Sequence, residues 1–91
     1  AGWAVADCGL KALGMDHGNP SMRDGGSARL CSDEHVTYVP PDGVALPAVG
    51  DRVEVLPAHV DPTLAYHEVL HVVDDDATEV LDTWPIDLRG W

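Results

Sequence analysis

The sequence is poor in basic residues and in cysteine, and it contains no long apolar run. Five lysine and arginine residues stand against sixteen acidic ones, which gives a formal net charge of -11. Phosphate backbones and anionic headgroups repel such a polyanion, so we expect it to bind neither nucleic acid nor a membrane surface. No stretch approaches the roughly 20 apolar residues that a membrane-spanning helix requires.

Cys8 and Cys31 are the two cysteines, too few for a disulfide framework. One bridge between them is an alternative, but we interpret them as reduced, partly buried thiols. Reduced thiols favour a cytoplasmic location. The first residues have no signal-peptide pattern. Because the sequence begins at Ala1 rather than Met, inside an expected strand, we expect it to be part of a longer protein.

The 91 residues predict one small domain over 1–91, because 45% are hydrophobic and nine glycines and seven prolines punctuate them. Short alternating stretches between turns predict an all-β, mainly antiparallel, barrel-like fold with one or two short helical turns. We expect strands at 3–7, 28–31, 35–39, 52–56, 64–73 and 78–84, where 28–31 and 35–39 are alternatively one bent strand. We also expect a loop over 16–27, an acidic hairpin tip at 74–76, a helical turn or an irregular link within 10–15, and a helical turn after Pro62.

A histidine and an aspartate two residues apart, His59 and Asp61, form a candidate metal site. On an extended segment this spacing places both side chains on one face, and Pro62 biases Asp61 toward that conformation. An imidazole and a carboxylate can hold Mn²⁺, Mg²⁺ or Zn²⁺ with positions left open for water or substrate, as in catalytic sites. The alternative is a half-buried histidine beside a turn aspartate.

Four motifs occur in order: DCGLKALGMDHG at 7–18, GDRVEVLP at 50–57, HVDPT at 59–63 and WPID-x-RGW at 84–91. Together they closely resemble the C-terminal domain of the D-threonine aldolase and D-serine dehydratase family, pyridoxal-phosphate enzymes of the alanine racemase fold type. The resemblance runs over 6–91 and is least specific between 20 and 49.

The resemblance implies that His59 and Asp61 bind a catalytic divalent metal close to pyridoxal phosphate, the electron sink of the reaction. The dehydratase branch typically carries cysteine where this sequence has Asp61. The aspartate therefore favours an aldolase that cleaves D-threonine-type β-hydroxy amino acids to glycine and an aldehyde. D-serine dehydratase and a non-catalytic dimerisation module are the alternatives.

The family's Schiff-base lysine and phosphate-binding residues lie in an N-terminal α/β barrel that is not among these residues. Lys11 is the single lysine here, and we expect it to pair with Asp7 or Asp16 rather than to bind the cofactor. The resemblance therefore implies three partners: the pyridoxal-phosphate-binding barrel, a second copy in a homodimer, and a small amino-acid substrate. By themselves the 91 residues should be inactive.

The remaining candidates are interpreted first as structural residues. Asp16, His17 and His35 lie in loops and are expected to fix turn geometry; the alternative for Asp16 and His17 is a place in the active site, across a dimer interface if the domain dimerises. Thr63 could cap a helix or contact a ligand carboxylate. The other members of this group are His67 and His71, expected to be structural or exposed, and Trp84 and Trp91, expected to be core or interface aromatics.

Overall fold

The computed structural model describes residues 2–87 and 89, most of whose regular structure consists of short antiparallel strands. In chain order the elements are β1 (Ala4–Ala6), β2 (Ser21–Met22), β3 (Ser27–Cys31), β4 (Val36–Val39), β5 (Val55–Leu56), α1 (Val60–Ala65), β6 (Val69–Val73) and β7 (Val80–Pro85). The all-β prediction with short helical segments is therefore confirmed, and a single turn closes over 10–13, where the backbone N–H groups of Ala12 and Leu13 donate to the Gly9 carbonyl.

Five strands form one antiparallel sheet in the order β1-β4-β3-β2-β5. Its core is built from Ala6 on β1, Met22 on β2 and Tyr38 on β4, all buried. Val53 and Val55, at the opposite edge, pack against the same cluster. Because both edge strands contribute to one core, the sheet curls into a partly closed barrel.

The segment expected as a strand over 52–56 alternates as predicted but pairs over a shorter length. Val53 and Val55 are half-buried, whereas Arg52 and Glu54 are exposed. Only Val55–Leu56 pairs, with β2. The strand β2 corrects the loop expected over 16–27. Ser21 pairs with Ser27 on one side and Leu56 on the other, and Met22 pairs with Val55. Burial of Met22 in the core stabilises a strand that the Gly-rich local sequence does not indicate.

The strand predicted over 64–73 is wrong in its first half. The helix α1 runs to Ala65, and the backbone N–H groups of Tyr66 and His67 donate to the carbonyls of Thr63 and Leu64 in its last turn. The strand β6 begins only at Val69. An apolar run by itself does not distinguish a helix from a strand, and here the periodicity changes in the middle of the run.

β6 and β7 form a separate two-stranded hairpin, as predicted, with the acidic tip at 74–76. Leu70 is paired with Trp84 across the hairpin. Trp84 is 52% exposed and is therefore not a core residue, while Trp91 lies outside the described residues. Both faces of the hairpin expose large apolar side chains, namely those of Val69, Leu70, Val73, Val80, Leu81 and Trp84.

Cys8 and Cys31 are free and half-buried, as the sequence predicts. Burial raises the pKa of both thiols, and Asp7 raises that of Cys8 further. In the part of the chain that the structure describes, the helical segments are too short and too polar to cross a membrane.

Candidate metal centre

The segment that follows β1 is anchored to the turn between β3 and β4. The backbone N–H groups of Leu10 and Lys11 donate to the carbonyls of Ser32 and Asp33, at 2.9 and 3.0 Å. Gly9 permits this approach, since a Cβ there would lie 2.2 Å from the Ser32 carbonyl oxygen. The first half of the DCGLKALGMDHG motif is therefore a structural anchor that fixes where its second half begins.

Gly14 connects this segment to α1. Its backbone N–H donates to Thr63 Oγ1 at 2.7 Å, and the Thr63 hydroxyl donates to the His59 carbonyl at 2.7 Å. The Thr63 hydroxyl thus links Gly14 to His59, the residue immediately before α1. The loop that leaves Gly14 consequently carries Asp16 to the side of His59.

Asp16 accepts hydrogen bonds from two histidines on one oxygen. Its Oδ2 lies 2.8 Å from His59 Nδ1 and 3.0 Å from His17 Nδ1. The planes of the two imidazole rings are tilted by 36° to each other, with the ring centroids 4.2 Å apart. The hydrogen bond from His59 is the main reason why the pKa of Asp16 is lowered.

Asp61 lies on the other side of the His59 ring. Its Oδ2 is 4.0 Å from His59 Nε2, and its side chain is 93% exposed. His59 is extended (φ -142°, ψ 116°), as expected, but Asp61 is in the first turn of α1. The prediction that both residues lie on an extended segment is therefore wrong for Asp61, although the side chains still converge.

The physical reason for that correction is the position of Pro62. A proline is tolerated in the first turn of a helix, where backbone N–H groups have no intrahelical acceptor. A residue that precedes a proline, here Asp61, disfavours the helical conformation. The hydrogen bonds of Thr63 and of the last turn of α1 outweigh this preference. Thr63 does not cap the helix, since it donates back to the His59 carbonyl.

The donor set fits a divalent cation. Asp16, His17 and His59 each offer a ligand atom, and these atoms lie within 4.8 Å of one another. Two donor atoms that each lie about 2.0–2.2 Å from one metal are at most roughly 4.4 Å apart. His59 Nε2 and Asp61 Oδ2, at 4.0 Å, satisfy this limit. Imidazole nitrogens and carboxylate oxygens suit Zn²⁺ and Mn²⁺.

The chain does not fit pyridoxal phosphate by itself. Its single lysine, Lys11, has an exposed ammonium group that pairs with Glu34 at 3.5 Å. This corrects the expected pairing with Asp7 or Asp16, because the turn between β3 and β4 brings Glu34 next to Lys11.

The other histidines have structural partners away from His59. The His35 carbonyl accepts from the Ser32 backbone N–H at 2.9 Å, which is the turn role expected for this residue. His67 Nε2 lies 2.8 Å from the Ala12 carbonyl, and His71 Nδ1 lies 3.0 Å from Thr83 Oγ1 across the hairpin. The structure thus brings Asp16 and His17, but not His35, to the HVDPT motif. The signal for this in the sequence is the joint presence of the DCGLKALGMDHG and HVDPT motifs.

Comparison with known proteins finds one family model and several relatives that match most of the chain. Residues 1–73 match the family model described as putative serine dehydratase domain. The 3-hydroxy-D-aspartate aldolase of Paracoccus denitrificans is 38% identical over 89 residues, 96% of this chain and 22% of that protein. The D-threonine aldolase of Arthrobacter sp is 34% identical over 96% of this chain and 23% of that protein. The chain thus spans about a fifth of the length of these relatives.

A solved structure and a shorter relative complete the comparison. The crystal structure of D-threonine aldolase from Filomicrobium marinum superposes with a TM-score of 0.82 and 38% identity, over 93% of this chain and 24% of that one. The fold is that of the aldolase C-terminal domain. An uncharacterized protein of Mycobacterium tuberculosis is 38% identical over 94% of this chain, and the match covers 68% of that protein.

Proposed function

Because the chain belongs to the putative serine dehydratase domain family, we propose that it is the metal-binding C-terminal domain of a pyridoxal-phosphate-dependent lyase. The reaction is the cleavage of D-threonine-type β-hydroxy amino acids to glycine and an aldehyde. The observation that carries the proposal is that both nitrogens of the His59 ring face a carboxylate, Nδ1 that of Asp16 and Nε2 that of Asp61. Residues 1–91 act as one domain in this proposal.

His59 and Asp61 hold the metal in this proposal. Nε2 of His59 faces Asp61, and the exposed carboxylate is free to turn toward it. The formal net charge of -11 attracts cations to this surface. A divalent ion bound here supplies Lewis acidity, which polarises the β-hydroxyl of the substrate.

In this proposal pyridoxal phosphate binds in a partner barrel, because the ammonium group of Lys11 is paired with Glu34 and does not bind the cofactor. The apolar side chains on both faces of the β6–β7 hairpin support a partner domain, since patches of this kind mark interaction sites. A homodimer and a cytoplasmic location are parts of the same proposal.

Asp61 favours the aldolase over D-serine dehydratase. A carboxylate is a harder ligand than a thiolate and suits Mn²⁺ or Mg²⁺ as well as Zn²⁺. The names of the relatives support the same choice, since two of them are aldolases of D-configured hydroxy amino acids.

A product assay on the full-length protein tests the proposed reaction. The protein is given D-threonine, pyridoxal phosphate and Mn²⁺, with and without chelator. We expect glycine and acetaldehyde, both lost on chelation. Ammonia and 2-oxobutyrate would instead establish the dehydratase and show that Asp61 does not mark the aldolase branch.

A free-standing, non-catalytic domain is the second candidate. It is favoured by the mycobacterial relative, of which this domain makes up 68%. A module that serves only dimerisation has no requirement for a metal. Self-association without Mn²⁺ binding or product formation would therefore support this candidate against the lyase.

A further inference from the structure

We propose that Asp16 is a positioning residue that holds His59 in the one tautomer that can bind a metal beside Asp61. This inference rests on the proposed function, since it concerns the same site. It adds a residue 43 positions away in the chain that acts through His59 and not by contact with the substrate.

The first step is the direction of the hydrogen bond. An ionised carboxylate only accepts, so the 2.8 Å contact requires the proton of neutral His59 on Nδ1. The Nε2 atom then carries the lone pair. That atom is the one that lies 4.0 Å from Asp61 Oδ2, so the lone pair is presented on the side where the second ligand stands.

The second step is the rigidity of the carboxylate. Asp16 follows Gly14, whose N–H is bonded to Thr63 at 2.7 Å, and Thr63 in turn bonds the His59 carbonyl. The loop and His59 are therefore joined by two sets of hydrogen bonds. The Thr63 hydroxyl links the backbone of Gly14 to that of His59, and Asp16 binds the His59 side chain. The His17 ring lies tilted against the His59 ring, with 4.2 Å between the centroids, and contacts the same carboxylate oxygen, which restricts rotation of the His59 ring.

The third step is the effect on metal affinity. Metal-binding histidines characteristically donate their second N–H to a carboxylate, which fixes the ring and raises the basicity of the ligating nitrogen. Loss of such a partner weakens metal binding by roughly 10–100-fold. Asp16 has the geometry of this outer partner, whereas direct ligation by Asp16 would require the metal on the Nδ1 side with His17.

The experiment measures Mn²⁺ alone, by electron paramagnetic resonance titration of the full-length protein. We expect Asp16→Ala to weaken the affinity by roughly 10–100-fold. Asp16→Asn, whose carbonyl can still accept the proton, should lose less. Asp75→Asn removes the same charge from the exposed hairpin tip and should bind as the wild type does.

A second readout follows the histidine itself. In metal-free protein with ¹⁵N-labelled histidine, His59 should be in the Nδ1–H tautomer, and Asp16→Ala should shift it toward Nε2–H. The number of waters on bound Mn²⁺ should not change in Asp16→Ala. A gain of one water would show that Asp16 is a ligand and would overturn the positioning role.

The failures of the two proposals are distinguishable. Wild-type protein that binds no Mn²⁺ overturns the metal site and this inference together. Tight wild-type binding with unchanged affinity in Asp16→Ala overturns this inference and leaves the metal site in place. An Nε2–H tautomer in the metal-free wild type also contradicts it, whatever the affinity.

Discussion

Gly14 lies so close to Pro62 that a Cβ on the glycine would stand 2.5 Å from Pro62 Cγ and 3.2 Å from the Thr63 backbone nitrogen. The proline ring and the helix backbone have little freedom to withdraw. The missing side chain is therefore what lets the loop reach α1, and this contact determines that Asp16 meets His59.

Substitution of Gly14 by alanine should damage both stability and metal binding. Overpacking of this kind costs about 1–3 kcal/mol, measured as a lower free energy of unfolding in urea. Displacement of the loop should also weaken Mn²⁺ affinity, because Asp16 moves with it. Gly2→Ala is the matched control, since the new Cβ meets only the flexible end of Leu46 at 2.9 Å. Wild-type stability in Gly14→Ala would contradict the packing argument.

Removal of either proposed ligand should abolish metal-dependent activity while the fold stays largely intact. We expect His59→Ala and Asp61→Ala to weaken Mn²⁺ binding by about 100-fold or more, beyond the range for outer partners. Asp61 is 93% exposed, so its loss should change the free energy of unfolding by no more than about 0.5 kcal/mol. His71→Ala is the control, because His71 contacts Thr83 on the hairpin instead. Full activity in either ligand variant would show that the site is elsewhere.

Metal removal should lower the thermal stability of the wild type. A ligand present at 100 times its dissociation constant stabilises the folded state by about 2.7 kcal/mol. Calorimetry with Mn²⁺ and then with excess chelator should show this difference, and His59→Ala should melt at the same temperature under both conditions. Equal melting temperatures of the wild type would count against a site on folded protein.

Local pattern in the sequence accounts for much of the fold. The alternation of Val53 and Val55 with charged neighbours correctly predicts which side chains turn inward. The hairpin follows from two apolar runs around an acidic turn. By contrast, β2 is invisible in a Gly-rich segment, because it exists through pairing with strands remote in sequence.

The candidate site divides in the same way. The spacing of His59 and Asp61 is local, and the sequence predicts their proximity even though Asp61 proved to be helical. Asp16 lies 43 residues away, and contacts between remote segments, such as the Gly14–Thr63 hydrogen bond, bring it near. Tertiary contacts of this kind leave no periodic signal, so the sequence favoured a turn role for Asp16.

Asp74 should make the hairpin sensitive to acid. Hydrogen bonds from the backbone N–H (2.8 Å) and hydroxyl (3.0 Å) of Thr78 lower the pKa of Asp74 below its ordinary value. Because the pKa of Asp74 is lower in the folded state than in the unfolded state, where it is about 3.9, the ionised carboxylate stabilises the folded protein at pH values above about 3.9. This stabilisation is lost as the pH falls through the pKa of the folded state. The difference in melting temperature between wild type and Asp74→Asn should therefore be largest near neutral pH and vanish at low pH. A difference that stays constant over the whole pH range would contradict this role of Asp74.

Trp84 offers a test of the partner domain. The residue is 52% exposed and lies beside Leu70 on one face of the hairpin. Where another domain covers this face, Trp84→Ala should lower the free energy of unfolding of the full-length protein by about 3–5 kcal/mol, as for a buried tryptophan. Where the face stays in water, the cost should be no more than about 1 kcal/mol, because little apolar surface is lost from the fold. Urea unfolding of the full-length variant distinguishes the two, with Trp3→Ala, exposed by 69%, as the control. A small effect in both variants would contradict the proposed contact between the hairpin and a cofactor-binding barrel.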